Sequence, residues 1–263
     1  MNNTPNEALS EKLVGAALVG NHKQVSALLS RGADGLFEHS RALRHAAGRG
    51  HIKCLELLIP VSNPLAYESH ALQLAAIGGH IDCVKLLIPH SNPLADNSLA
   101  LLWAAENGQV ECVRLLIPVS NPRDGNSFAL ATAAFEGHAE CVELLLPASN
   151  PLDGDSSALL AAAKSQSLAC AKLFVPFYKA TTQSQKILEA ALKAAFPEMI
   201  FFLLGIGEFR EKCRLSETLN KLRAAPEQKA TTACLAALAA FIEAEDLAAE
   251  MPASSRASSS VRL

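Results

Sequence analysis

Ser98–Pro122, SLALLWAAENGQVECVRLLIPVSNP, is the clearest copy of a unit that recurs along the chain. It reads as two short helices joined by a turn, and near-copies of it stand on both sides. Ser-x-Ala-Leu recurs at Ser40, Ser69, Ser98 and Ser127, with Ser-Ser-Ala-Leu at Ser156. Cysteine recurs at Cys54, Cys83, Cys112, Cys141 and Cys170, and Ser-Asn-Pro at Ser62, Ser91, Ser120 and Ser149. Each series has a period of 29 residues. A fixed period of this size marks an array of stacked units, each too small to bury its apolar face alone.

The unit can be read residue by residue. The Ser is expected to be an N-cap, offering its hydroxyl to the first free amides of a helix. Ala-Leu and then Ala-Ala follow on one face, and the small pair lets helices approach closely. Gly50, Gly79, Gly108 and Gly137 end that helix with the left-handed residue that a tight reversal needs. A second helix follows with the Cys and a Leu-Leu pair on its buried stripe. Pro60, Pro89, Pro118 and Pro147 stop it. The proline after each Asn pushes the residue before it to an extended conformation.

Working outward, residues 1–10 read as a flexible lead-in and residues 11–39 as a looser first unit. Its Val14, Ala17, His22, Val25, Leu28 and Leu29 stand 29 residues before Leu43, Ala46, His51, Cys54, Leu57 and Leu58, with Asn21 in the turn-glycine slot. Regular units span 40–68, 69–97, 98–126 and 127–155. Units at 156–184 and 185–207 decay progressively. Residues 208–250 read as a helical cap split by Pro226, because a stack must close with one polar face. The Ser-rich residues 251–263 read as a disordered tail. The fold expected is all-α: a solenoid of stacked helix-turn-helix units with an irregular helical C-terminal cap.

Composition narrows the function. The chain has 263 residues and a net charge of −3, so no basic field favours nucleic acid. No apolar run is long enough to span a membrane, and the N-terminus has no secretory pattern. The expected location is the cytoplasm, with export by another route left open. The chain is read as a monomer. The five periodic cysteines are expected to be small buried hydrophobes, too far apart along the stack to bridge. The periodic His51, His80 and His138 are likewise too far apart to share one metal ion. They are expected to bond across the turn, with Gln109 in the same slot. No nucleophile elbow, phosphate loop or metalloprotease motif occurs, so neither a catalytic residue, a metal nor a cofactor is assigned.

Ala104-Ala105-Glu106-Asn107-Gly108-Gln109, followed by Cys112-Val113-Arg114-Leu115-Leu116-Ile117, resembles the ankyrin repeat. In that family a helix ending in Ala-Ala-x-x-Gly-His leads into a second ending in Leu-Leu. Gly32-Ala33-Asp34 in the first unit matches the family's signature after the second helix. The resemblance covers about residues 11–176 and continues weakly to about 207. The family period is about 33 residues, so each unit here is shorter. The missing residues belong to the projecting β-hairpin finger, and a tight turn is expected in its place.

The resemblance implies protein recognition through a concave face formed by the first helices. The positions between Ala-Ala and Gly vary most between copies. They supply the candidate partner-binding residues Arg49, Ile77, Glu106, Asn107, Phe135, Glu136 and Lys164. The loops add Tyr67, Glu68, Asp96, Asn97, Asp124, Asp153 and Asp155, and their acids suggest a basic partner segment. Trp103 is read as packing between units. The expected function is a non-enzymatic scaffold for a protein partner. A structural spacer and a repeat module serving an enzyme complex are the alternatives.

Overall fold

The computed structural model describes residues 5–153, 158–177, 184–194, 196–207, Leu215, Thr218, Cys234, Ala236 and 238–244. Among these residues every regular element is helical. The chain divides into two compact units, Met1–Asp155 and Ser156–Leu263.

In the first unit, α1 (Pro5–Leu18), α3 (Phe37–Gly48), α5 (Ala66–Ile77), α7 (Ala95–Glu106) and α9 (Asp124–Glu136) pack side by side in chain order. Each is followed by a shorter partner: α2 (His22–Ser30), α4 (Ile52–Leu58), α6 (Ile81–Leu87), α8 (Val110–Leu116) and α10 (Ala139–Leu145). The side-by-side packing follows from the small residues. Ala46-Ala47, Ala75-Ala76, Ala104-Ala105 and Ala133-Ala134 are completely buried, as are Leu43, Leu72, Leu101 and Leu130. Cys54, Cys83, Cys112 and Cys141 are buried on the second helices. Burial, with Asp82 or Glu111 adding a smaller push, raises the Cys83 and Cys112 thiols to about 11. They stay protonated and unreactive at neutral pH.

The turn glycines are left-handed, with φ of 72° at Gly50, 66° at Gly79, 65° at Gly108 and 81° at Gly137. Glycine is needed there for a second reason. A Cβ on Gly50 would lie 2.6 Å from the His80 ring, and one on Gly108 would lie 2.7 Å from the His138 ring. Each ring belongs to the following repeat and reaches back to the end of the preceding first helix. His51 Nε2 is 3.2 Å from the Leu18 carbonyl, His80 Nε2 is 3.2 Å from that of Gly48, and His138 Nε2 is 3.0 Å from that of Glu106. A carbonyl only accepts, so the rings donate from Nε2. Gln109 donates its side-chain amide to the Ile77 carbonyl at 3.2 Å. The slot therefore requires a donor of the right reach, not an imidazole. Its bond runs between repeats and not merely across one turn.

The periodic Ser does not cap a helix. Glu38-His39-Ser40, Tyr67-Glu68-Ser69, Asp96-Asn97-Ser98 and Gly125-Asn126-Ser127 form left-handed turns ahead of the right-handed helices, with φ between 46° and 62°. Such a residue costs roughly 1–2 kcal/mol when it is not glycine. The turn is held by its buried Ser. Ser40, Ser69, Ser98 and Ser127 accept from the backbone N–H of Asn63, Asn92, Asn121 and Asn150, at 2.8–3.0 Å. The hydroxyl thus ties the entry of each repeat to its own exit. Ser62, Ser120 and Ser149 then donate to the carbonyls of Gly35, Pro93 and Pro122, linking each exit to the one before. The four-residue shortening is accommodated by this compact turn, and no strand forms among the described residues.

The first unit is in register by 30 residues, not 29, up to the end of its second helix. Leu13, Ala16, Ala17, Val25 and Leu28 are its buried residues, opposite Leu43, Ala46, Ala47, Leu55 and Leu58. Gly20, with φ 74°, is the left-handed turn residue. Asn21 has φ −80° and caps α2 by accepting from the Gln24 N–H. Ser10 takes the role of Ser40 by accepting from the Asp34 N–H at 2.9 Å. The extra residue is absorbed before Asp34, where Gly32 at φ 88° replaces the 3-10 turn found at Ile59–Val61. The expected flexible lead-in is accordingly helical from Pro5.

In the second unit, α11 (Ala158–Lys164), α12 (Leu168–Phe174), α13 (Ser184–Lys193) and α14 (Pro197–Leu204) continue as paired helices. Gln166 takes the left-handed turn at φ 63° that glycine held before. Leu215, Cys234 and Leu238 are buried. Most of the expected cap over 208–250, Pro226 included, and the tail over 251–263 lie outside the described residues.

Candidate partner-binding face

The first helices leave one face uncovered by their own second helices. On α3 it carries Arg41, Arg44, His45 and Arg49; on α5, His70, Leu74 and Ile77; on α7, Leu99, Leu102, Trp103, Glu106 and Asn107; on α9, Phe128, Thr132, Phe135 and Glu136. These residues are exposed or half-buried, while the framework between them is buried. Phe128 is 53% exposed and Phe135 48%. Rings that open to water on a face flanked by buried alanines are available for contact rather than used in the core. Trp103, expected to pack between repeats, is half-buried along with Leu74 and Thr132 at the equivalent position.

The structure separates the expected site residues into two groups. Arg49, Ile77, Glu106, Asn107, Phe135 and Glu136 stand together at the turn-ward ends of neighbouring first helices. Tyr67, Glu68, Asp96 and Asn97 lie in the left-handed turns at the opposite ends of those helices. Asp96, Asn97, Asp124 and Phe128 line a cavity of about 220 Å³ between the turns of α7 and α9. Lys164 is exposed at the end of α11 in the second unit, and Asp155 lies outside the described residues.

Two of the loop acids are occupied within the stack. Asp124 accepts from the Ser98 hydroxyl at 2.6 Å and from the Asn121 side chain. Asp153 accepts from the Ser127 hydroxyl at 3.1 Å and from the Asn150 side chain. They close the turns and are not a free acidic edge. Glu38 is paired with Arg41 at 2.7 Å.

The α3 end of the face gathers basic side chains. Burial, then Arg41, Arg44 and Arg49, lowers the pKa of His45; burial and then Arg44 lowers that of His70. The Arg44 guanidinium stands 4.9 Å over the Tyr67 ring and donates to the Glu38 carbonyl at 3.0 Å. The signal was present in the sequence. Within its unit, α3 alone puts Arg at three of the outward positions, Arg41, Arg44 and Arg49. Among the described residues, no group of His, Cys, Asp and Glu is arranged to hold a metal ion, and no helix is long and apolar enough to cross a membrane.

A family profile described as ankyrin repeats, in three copies, matches residues 13–98 and 72–154. The crystal structure of the human ASB11 ankyrin repeat domain is similar, with a TM-score of 0.53 and 23% identity. The match covers 63% of this chain and 83% of that domain, and at such identity it speaks for the fold alone. No curated protein matches the sequence.

Proposed function

The chain belongs to the ankyrin repeat family, whose arrays are protein–protein interaction modules, and on that premise we propose that it is a non-enzymatic scaffold holding a protein partner on the face of its first helices. The observation that carries this reading is the contrast within the repeats. The buried Ala-Ala, Leu and Ser positions are held constant, while the positions beside them change from Arg49 to Ile77, Glu106 and Phe135. Packing explains the constant positions and asks nothing of the variable ones. Large apolar side chains there favour contact, since aromatic and aliphatic anchors supply much of the energy of interfaces. The stack holds them in place before binding, which limits the conformational entropy lost on association.

Replacing Ile77 and Phe135 together by alanine tests the proposal. Partners retained by the full chain are identified by affinity purification and mass spectrometry. The affinity of a retained partner is then measured by calorimetry. The double variant should bind at least about tenfold more weakly, as expected when two anchors together worth about 1.4 kcal/mol or more are removed. Its melting temperature should change little, because Phe135 is exposed and Ile77 half-buried. Unchanged affinity would remove this face from the account, and a chain that retains no partner would favour the spacer reading.

A further inference from the structure

We propose that the occupant of this face is a protein segment with unlike ends: carboxylates where it crosses α3, apolar side chains over α5 and α7, and a Lys or Arg where it meets the turn-ward ends of α7 and α9. The inference rests on the binding face argued above and adds the chemistry of what binds there.

The face is polarised along the stack. At the α3 end, Arg41 is partly neutralised by Glu38, but Arg44 and Arg49 have no carboxylate partner among the described residues. Arg44 bonds only a backbone carbonyl and lies against the Tyr67 ring, and its Nε is buried without a hydrogen-bond partner. Arg49 is exposed. The group this end lacks is a carboxylate, which guanidinium binds with directed, charge-assisted bonds.

Apolar groups follow. Leu74 and Ile77 on α5, and Leu102 and Trp103 on α7, are half-buried and carry no charge. At the far end, Glu106 is half-buried and Glu136 exposed, and neither is in an ion pair among the described residues. Asp124 and Asp153 are already bonded within the turns, so the negative end is set by the two glutamates.

The two ends act separately. Packed helices lie roughly 8–10 Å apart, so three steps from α3 to α9 span roughly 24–30 Å. That is well beyond the screening length of about 8 Å at physiological salt. Neither end cancels the other, and a uniformly acidic or uniformly basic segment would be repelled at one of them. An extended segment covers the distance with roughly 7–9 residues.

Selection from a displayed library of random peptides of about 12 residues, a length sufficient for this span, on the purified full chain tests the inference. Enriched peptides should carry Asp or Glu toward one end, Leu, Ile, Phe or Trp in the middle, and Lys or Arg toward the other. The best of them, synthesised and measured by calorimetry, should lose about tenfold in affinity with Arg49→Glu, from reversing one or two charge contacts. Glu136→Arg should cost a similar factor. Both sites are exposed, so thermal melts should match the parent; Arg49→Gln and Glu136→Gln serve as milder variants if they do not. Peptides lost with Ile77→Ala/Phe135→Ala but indifferent to Arg49→Glu and Glu136→Arg would overturn the inference and leave the binding face standing. So would enriched peptides of a single charge sign or none. Peptides indifferent to every substitution, or no enrichment, would overturn both.

Discussion

Leu101→Ala should lower stability by roughly 2–5 kcal/mol, the range for removing a large aliphatic side chain from a packed site. Leu101 is completely buried on α7, which packs between α5 and α9. Its loss leaves a cavity bordered by close-packed alanine pairs whose backbones have little freedom to collapse into it. In a stacked array each unit is stabilised chiefly by its neighbours. A weakened inner repeat should therefore separate the unfolding of the repeats on either side of it and broaden the transition. Circular dichroism during guanidinium titration reads both effects. Leu102→Ala is the control. Leu102 is only half-buried on the candidate binding face, and its removal should cost less than about 1 kcal/mol, as for a substitution outside the core. Equal losses at the two positions would contradict the packing phase described for α7.

Gly108→Ala should cost roughly 2–3 kcal/mol, from a left-handed backbone and a displaced hydrogen bond. Its φ is 65°, and its added Cβ would sit 2.7 Å from the His138 ring. The ring would have to leave the Glu106 carbonyl, 3.0 Å away. The two causes can be separated. His138→Ala removes the ring, so in the double variant the steric part disappears and the backbone part remains. The two substitutions together should therefore cost about 1 kcal/mol less than their sum. Gly108→Asn tolerates the left-handed backbone but still brings a Cβ, so it should not restore the parent stability. Strict additivity, or full recovery with Asn, would show that the ring does not rest on the glycine.

Those glycines also show what the sequence made legible. Period, helix pairs, left-handed turns and the buried cysteine ladder all follow from local chemistry repeated at fixed spacing. The role of Ser98 did not follow. Ser-x-Ala-Leu ahead of an apolar helix has the form of a cap, and only the tertiary fold brings the Asn121 amide to its hydroxyl, 2.9 Å away. The left-handed Asp96-Asn97-Ser98 turn was hidden for the same reason, since a distant bond holds a conformation that local preference disfavours.

The first unit was misaligned because its apolar residues fit two registers almost equally well. Gly20, in line with Gly50, was the better marker than Asn21. For the candidate face, comparison of the copies found Ile77, Phe135 and the residues around them. Arg41 and Arg44 lie outside the two positions ahead of the turn glycine, where the copies differ most. The loop acids read as free charge in the sequence, yet Asp124 and Asp153 are partnered by Ser98 and Ser127. Whether a carboxylate is available is decided by contacts that a spacing pattern does not contain.

In the proposed complex the first helices, and not the second helices behind them, meet the partner. Hydrogen–deuterium exchange of the full chain with and without a purified partner measures this directly. The account predicts slowed exchange at the turn-ward halves of α5, α7 and α9, including the amides of Ile77, Glu106, Asn107 and Phe135, with α4, α6, α8 and α10 unchanged. Protection confined to the second helices, with those amides exchanging as in the free chain, would contradict it.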